Sequence, residues 1–177
     1  RRKQMPNWCN NVLTLQGPPG LIDRAKRAIE RDELCNEFFS IPSELKDTIC
    51  PTQPGDEEKA KALQERYGYS NWYEFAINEW GTKWDINGGT IQEEGDGYLV
   101  ASFDTAWSPP IALIEKLEGH GFTSVVLDYV EFGMNFVGQW NNGEDECYEI
   151  DEDIPQDMDD MWGISEMLAE REEMDEE

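Results

Sequence analysis

Two stretches constrain this chain most: Asn78-Glu79-Trp80-Gly81-Thr82-Lys83-Trp84-Asp85, and its echo Phe103-Asp104-Thr105-Ala106-Trp107-Ser108-Pro109-Pro110. Each lies where one local periodicity gives way to another. Behind Ser70, a residue type that caps helix N-termini, Tyr73, Ala76, Ile77 and Trp80 recur at helical spacing, and Gly81 is the helix stop. From Lys83 the pattern turns extended, through Trp84-Asp85-Ile86 and Thr90-Ile91-Gln92. Gly95-Asp96-Gly97 is a turn, and Tyr98–Phe103 alternates as a second strand, so the two runs form a hairpin. After Trp107, Ser108 is placed to cap a helix with Pro109 at its first position and Ile111, Leu113, Ile114 and Leu117 on its buried face. Large aromatic residues at such junctions fix how elements pack, and they can also line a recognition surface.

The flanking segments complete the order. Val12, Leu13, Thr14 and Leu15 read as a strand that Gly17-Pro18-Pro19-Gly20 ends. Leu21, Ile22, Ala25, Ala28 and Ile29 then give a helix with a basic outer face. Residues 32–80 read as a helical insertion, in which Asp56–Tyr67 is an exposed helix with an acidic first turn. Phe122–Tyr129 is a β-branched strand, and Glu131–Trp140 alternates well enough to continue it. Asn141-Asn142-Gly143 is a hairpin turn before a returning strand over Glu144–Ile150. The sum is an α+β fold of the ferredoxin-like split βαβ kind: an antiparallel sheet with helices packed on one face, an extra C-terminal β-hairpin and an acidic tail. Residues 5–150 make the domain. Residues 151–177 make an acidic arm, partly helical or mobile, with Met161, Ile164, Met167 and Leu168 on one side of a helix.

Composition narrows the function classes. Seven tryptophans and 11 % aromatic residues exclude a disordered chain. Cys9, Cys35, Cys50 and Cys147 lack paired spacing, and His120 stands alone, so no metal or cofactor is expected and the thiols read as reduced. No apolar run reaches 18 residues, and the basic Arg1-Arg2-Lys3-Gln4 leads into no apolar segment. Met5 is a candidate natural start. These points give a cytoplasmic expectation. The net charge is −25, and it is uneven: between Glu144 and Glu177 lie 17 acidic residues and one basic residue, so −16 falls in the last 34 positions. Such a chain is a poor ligand for nucleic acid or an anionic membrane and a good one for a basic protein surface.

Four ordered stretches, Met5-Pro6-Asn7-Trp8-Cys9 with Asn11, Trp80–Asp85, Phe103–Pro110 and Tyr129-Val130-Glu131-Phe132-Gly133-Met134-Asn135-Phe136-Val137-Gly138, resemble the YubB / Api92-like ferredoxin-like family of plasmids and bacteriophages. The resemblance covers about residues 5–143. It implies the fold already reached and a mobile-element origin, and it implies no reaction. The acidic tail lies beyond it.

The charged residues inside the motifs are Lys83, Asp85, Asp104 and Glu131, with Thr82, Thr105 and Ser108 as hydroxyls. They match no nucleophile elbow, phosphate loop or metal-binding helix, so no catalytic residue is assigned. The leading expectation is a non-enzymatic accessory protein that binds a basic host protein, a defence or nucleic-acid-binding protein it would inhibit as an acidic nucleic-acid mimic. The residues expected to carry this are Asp151, Glu152, Asp153, Asp157, Asp159, Asp160, Trp162, Glu166 and Glu170. One alternative is a small-ligand or enzymatic site at the junction of Trp80, Lys83, Trp84, Asp85, Thr105 and Trp107. The other is a plain interaction module with a solubilising tail.

Overall fold

The computed structural model describes residues 7–175; Arg1 to Pro6, including the leader and Met5, and Glu176 and Glu177 lie outside it. The chain runs β1 (Trp8–Gln16), α1 (Pro19–Glu30), α2 (Leu34–Phe38), α3 (Ser43–Lys46), α4 (Glu57–Tyr67), α5 (Trp72–Glu79), β2 (Asn87–Gly95), β3 (Tyr98–Ala106), α6 (Ile111–Glu118), β4 (Ser124–Glu131), β5 (Phe136–Asn141), β6 (Glu144–Glu149), α7 (Gln156–Trp162) and α8 (Ile164–Asp175). The six strands form one antiparallel sheet in the order β2-β3-β1-β4-β5-β6. β1 and β2 therefore run parallel with β3 between them, and β3 and β4 run parallel with β1 between them.

Alternation along β1 and β4 divides the sheet into two faces. Cys9, Asn11, Leu13 and Leu15 on β1 sit beside Tyr129, Leu127 and Val125 on β4, and all are buried. Helices α1, α2, α5 and α6 cover this face. α1 presents Ile22, Ala25, Ala28 and Ile29, and α6 presents Leu113, Ile114 and Leu117, to one continuous core. Full burial of each such branched side chain is worth about 1.5–3 kcal/mol.

The opposite face carries a second core. Val130 and Val137, which point away from the first, are buried with Ile150, Met158 and Ile164, and Phe132, Tyr148, Ile154, Trp162, Met167 and Leu168 pack around them. The C-terminal segment thus folds back on the sheet as α7 and α8. Helices occupy both faces, where one had been expected, because apolar side chains of the segment after Ile150 cover apolar positions that β4 and β5 turn away from α1 and α6.

Several boundaries differ from the sequence reading. Asn71, and not Ser70, caps α5, its Oδ1 accepting from Glu74 N at 2.9 Å, while Ser70 bonds the Glu74 carboxylate. Phe75 and Ala76 form the buried side of α5, and Tyr73 and Ile77 are exposed. Ser108 caps nothing: its hydroxyl donates to Gly81 O at 2.6 Å, and α6 begins after Pro110. Residues 84–86 form no strand, because the Asp85 carboxylate holds the local backbone. Phe132–Asn135 form a turn, so β4 and β5 are separate strands.

Candidate functional site

The two tryptophan-bearing stretches meet. Besides the Ser108–Gly81 bond, Thr82 Oγ1 donates to Ala106 O at 3.2 Å and Leu113 N donates to Trp80 O at 3.2 Å. Gly81 has φ +84°, and a Cβ there would sit 3.1 Å from Ile111 N, so glycine permits both the left-handed backbone and the close approach. The residues of the junction then divide. Trp80 is fully buried against Phe75, and its Nε1 donates to Phe39 O at 2.8 Å. Asp85 accepts from the amides of Cys35, Asn36 and Ile86 and from Asn36 Nδ2, all between 2.8 and 3.0 Å, which satisfies the N-terminal turn of α2. Thr105 accepts from Asn11 Nδ2 at 2.9 Å and donates to Ser108 O at 2.7 Å. These three are structural.

Lys83, Trp84 and Trp107 remain at the surface. Trp84 is 42 % and Trp107 38 % exposed. Lys83 Nζ lies 4.0 Å from the Trp84 ring centroid and 6.0 Å from that of Trp107, within cation–π range of both. Trp107 has φ +72°, which is uncommon for any residue with a side chain. Its amide donates to Asn7 O at 2.9 Å.

The motif carboxylates do not converge. Asp104 lies on the sheet face away from Asp85 and accepts from Asn10 Nδ2 at 2.7 Å. Glu131 is buried and accepts from Gly133 N at 3.0 Å and from Met134 N, closing the β4–β5 turn. Cys9 and Cys35 are buried, and burial, more than any neighbouring charge, pushes both thiols well above their ordinary value. Among the described residues, no group of three or more His, Cys, Asp or Glu side chains is arranged to hold a metal ion, and no helix is long and apolar enough to cross a membrane.

Of the acidic residues expected to bind a partner, Asp151, Glu152 and Asp153 lie in the turn between β6 and α7, Asp157, Asp159 and Asp160 on α7, and Glu166 and Glu170 on α8. Asp151, Glu152, Asp153, Asp157, Asp160, Glu166 and Glu170 are exposed. Asp159 is not free. It accepts from Ser165 N and Ser165 Oγ, both at 2.6 Å, which ties α7 to α8 across Gly163, and these bonds hold its carboxyl below the usual range. Trp162, expected as an outward anchor, is tucked into the second core, and its Nε1 is buried without an acceptor. Met161, 43 % exposed, points outward instead.

One groove escaped the sequence reading. Pro109, Tyr129, Met134, Phe136, Cys147 and Glu149 line it, on the sheet face that α6 leaves open at β5 and β6. Gly138 pairs with Tyr129 on one side and Cys147 on the other. The Tyr129 ring lies across the space a Gly138 side chain would fill. The only sequence signal was Gly138 itself, a glycine inside a strand, which marks close approach.

No family model matches this chain, nor does any curated protein sequence. Among solved structures it is similar to the crystal structure of the protein Api92 from Yersinia pseudotuberculosis, of the DUF1281 family, at 10 % identity and a TM-score of 0.47, over 82 % of this chain and 95 % of that one. The likeness is one of overall chain path, and no residue role is carried over from it.

Proposed function

We propose that this chain is a non-enzymatic binding module that docks its acidic C-terminal unit on a basic protein surface. One observation carries the reading. Among the described residues, the six ion pairs all fall between Arg24 and Lys116, and the carboxylates from Glu144 to Glu173 take part in none of them. Yet those carboxylates are held together on a packed scaffold instead of being dispersed on a loose tail. Concentrating unpaired like charge destabilises a fold, and a basic partner relieves that cost.

The mimic form of the proposal follows from spacing. α8 carries Glu166, Glu170, Glu172 and Glu173 within eight residues, with Arg171 as the one cation among them, which at the helical rise is about one carboxylate per 3 Å, close to the phosphate spacing of about 3.4 Å along one DNA strand. On this reading the target is a nucleic-acid-binding protein. The motif resemblance would place it in a bacterial host cell invaded by a phage or plasmid and make it a host defence protein. The strand order β2-β3-β1-β4 supports a ferredoxin-like split βαβ as the supporting scaffold.

The experiment is capture of a bacterial partner by the full chain and by a variant in which Asp157, Asp160, Glu166 and Glu170 become Asn or Gln. The variant should lose capture, added salt should weaken capture by the full chain steeply, and duplex DNA should compete. Capture that survives both neutralisation and salt sinks the proposal.

A second reading is favoured by the exposed pair Trp84 and Trp107 around Lys83, as a site for a small ligand. Tryptophan fluorescence changed by a ligand in the full chain but not in Trp84→Phe would support it.

A further inference from the structure

We propose that the outer edge of β6 accepts an extended basic peptide as a seventh strand, with one apolar side chain entering the groove beside it. The inference rests on the reading of a basic partner and specifies where, and in what conformation, part of that partner is held.

β6 is the last strand of the sheet. The Asn142-Gly143 turn, with φ +45° and +100°, joins it to β5 as a two-residue hairpin. Ile150 N donates to Asn135 O at 3.1 Å, which fixes the alternation. Even-numbered residues of β6 direct their backbone groups to β5, and Asp145, Cys147 and Glu149 direct theirs outward. Of these outward groups, Glu149 O accepts from Glu152 N at 3.1 Å; among the described residues no other bond to them is present.

The side chains of Asp145, Cys147 and Glu149 stand on the groove's face of the sheet. Cys147 is exposed midway, in register with Gly138 and thereby with the Tyr129 ring. Met134, 53 % exposed, and Phe136 wall one end with Pro109. The Tyr129 hydroxyl donates to Asp145 Oδ1 at 2.7 Å. Glu144, Glu146 and Tyr148 stand on the other face. A strand lying on this edge therefore meets carboxylates at both ends of the groove, an apolar gap between them, and behind the gap the Glu146 carboxylate and the Tyr148 ring, over which a cation can also rest. Cross-strand pairs of opposite charge stabilise, and like charges directly opposite repel. The complement is two basic residues, one apolar residue and two basic residues, bound by strand addition. A second copy of this chain does not fit, because its β6 would set acid against acid.

The probe is the capped peptide acetyl-Thr-Lys-Lys-Val-Lys-Lys-Thr-amide, read by alkylation of the exposed thiols of the full chain with iodoacetamide. Cys147 should slow about tenfold at nine-tenths occupancy. Cys50, exposed in the insertion, should react unchanged and serves as the internal control. The same peptide N-methylated at its central amides keeps its charge but cannot pair, and should protect nothing. Equal protection by both peptides overturns strand addition. Peptide bound with Cys147 still reactive also overturns it, and leaves the acidic-unit proposal standing. If neither peptide binds while the full chain still captures its basic partner, only the strand-addition proposal falls. If that capture fails as well, both fall.

Discussion

The hydroxyl of Tyr129, on β4, reaches across β5 and donates to Asp145 on β6 at 2.7 Å. Tyr129 is 2 % exposed, so a phenol from the main core is bonded to a carboxylate on the outermost strand. The crossing is possible only because the strand between has Gly138 at that position. The contact holds the hairpin register and floors the groove.

Gly138→Ala tests this directly. A Cβ there would overlap Tyr129 Oη and Cζ and lie 2.5 Å from Glu146 O. Overpacking of this kind costs about 1–3 kcal/mol, and the backbone contact leaves little room for relief. Gly20, in the first turn of α1 with nothing near it, is the control; Gly20→Ala should stabilise by up to about 1 kcal/mol. Urea denaturation measures both. A neutral Gly138→Ala would show that Tyr129 does not need to lie over β5.

Alkaline pH should unfold the protein cooperatively. Burial first, then the bond to Asp145, holds the Tyr129 phenol well above its usual value near 10. Burial does the same for the Cys9 and Cys35 thiols, and the hydrogen bond to Glu79 pushes Tyr69 up to about 12. A pKa raised in the folded state means that the unfolded chain releases its proton first. Stability from these groups is complete below about pH 9, and it falls as pH rises through 9 to 12. Melting temperature followed from pH 7 to 12 should drop over that window, and Tyr129→Phe should drop less steeply above pH 10.

Removing the acidic unit and removing its charge should have different outcomes. Deleting residues 151–177 uncovers Val130, Val137 and Ile150, which Met158 and Ile164 cover. The truncated chain should bind a hydrophobic dye and aggregate. Neutralising Asp157, Asp160, Glu166 and Glu170 leaves that packing intact, and at low salt should raise the melting temperature by relieving repulsion. Trp162→Phe should be neutral or stabilising by about 1 kcal/mol, since it removes a buried donor that has no acceptor. A large loss of stability in Trp162→Phe would contradict the packing described.

The junction residues separate by the same logic. Asp85→Ala strips four hydrogen bonds from the α2 region and should cost about 1–3 kcal/mol. Trp84→Ala should cost less than about 1 kcal/mol, given its exposure. Trp107→Gly loses the contacts of a partly buried ring but relieves a left-handed backbone by about 1 kcal/mol, so it should be less destabilising than Trp107→Ala. Thermal denaturation ranks these variants, and a severe loss in Trp84→Ala would show that the Trp84 ring is a packing element like Trp80.

Much of the fold was legible in the chain. Alternation in Tyr98–Phe103, the helical stripe from Leu21 to Ile29, and the Asn-Asn-Gly turn each report a local period or a local φ requirement. The errors share one cause. Ser70, Ser108 and Asp85 are polar residues whose partners could be chosen only in three dimensions: the Glu74 carboxylate, Gly81 O and the start of α2. A hydroxyl before a helix looks like a cap from sequence whether or not it is one. The groove was invisible because its lining comes from the loop before α6 and from three strands, with Gly138 as the only trace.

The sequence by itself determined the order of elements from β1 to β4, the concentration of charge after Glu144 and the junction tryptophans, because these follow from composition and short-range period. The tertiary structure decided that the C-terminal segment is a folded unit on the far side of the sheet. It also decided that Trp162 faces inward and Trp84 outward, and that Tyr129 crosses a bare strand to Asp145. Those outcomes depend on which apolar surfaces remain uncovered after the first four strands and their helices have packed. That is a property of the assembled sheet and not of any window of residues along the chain.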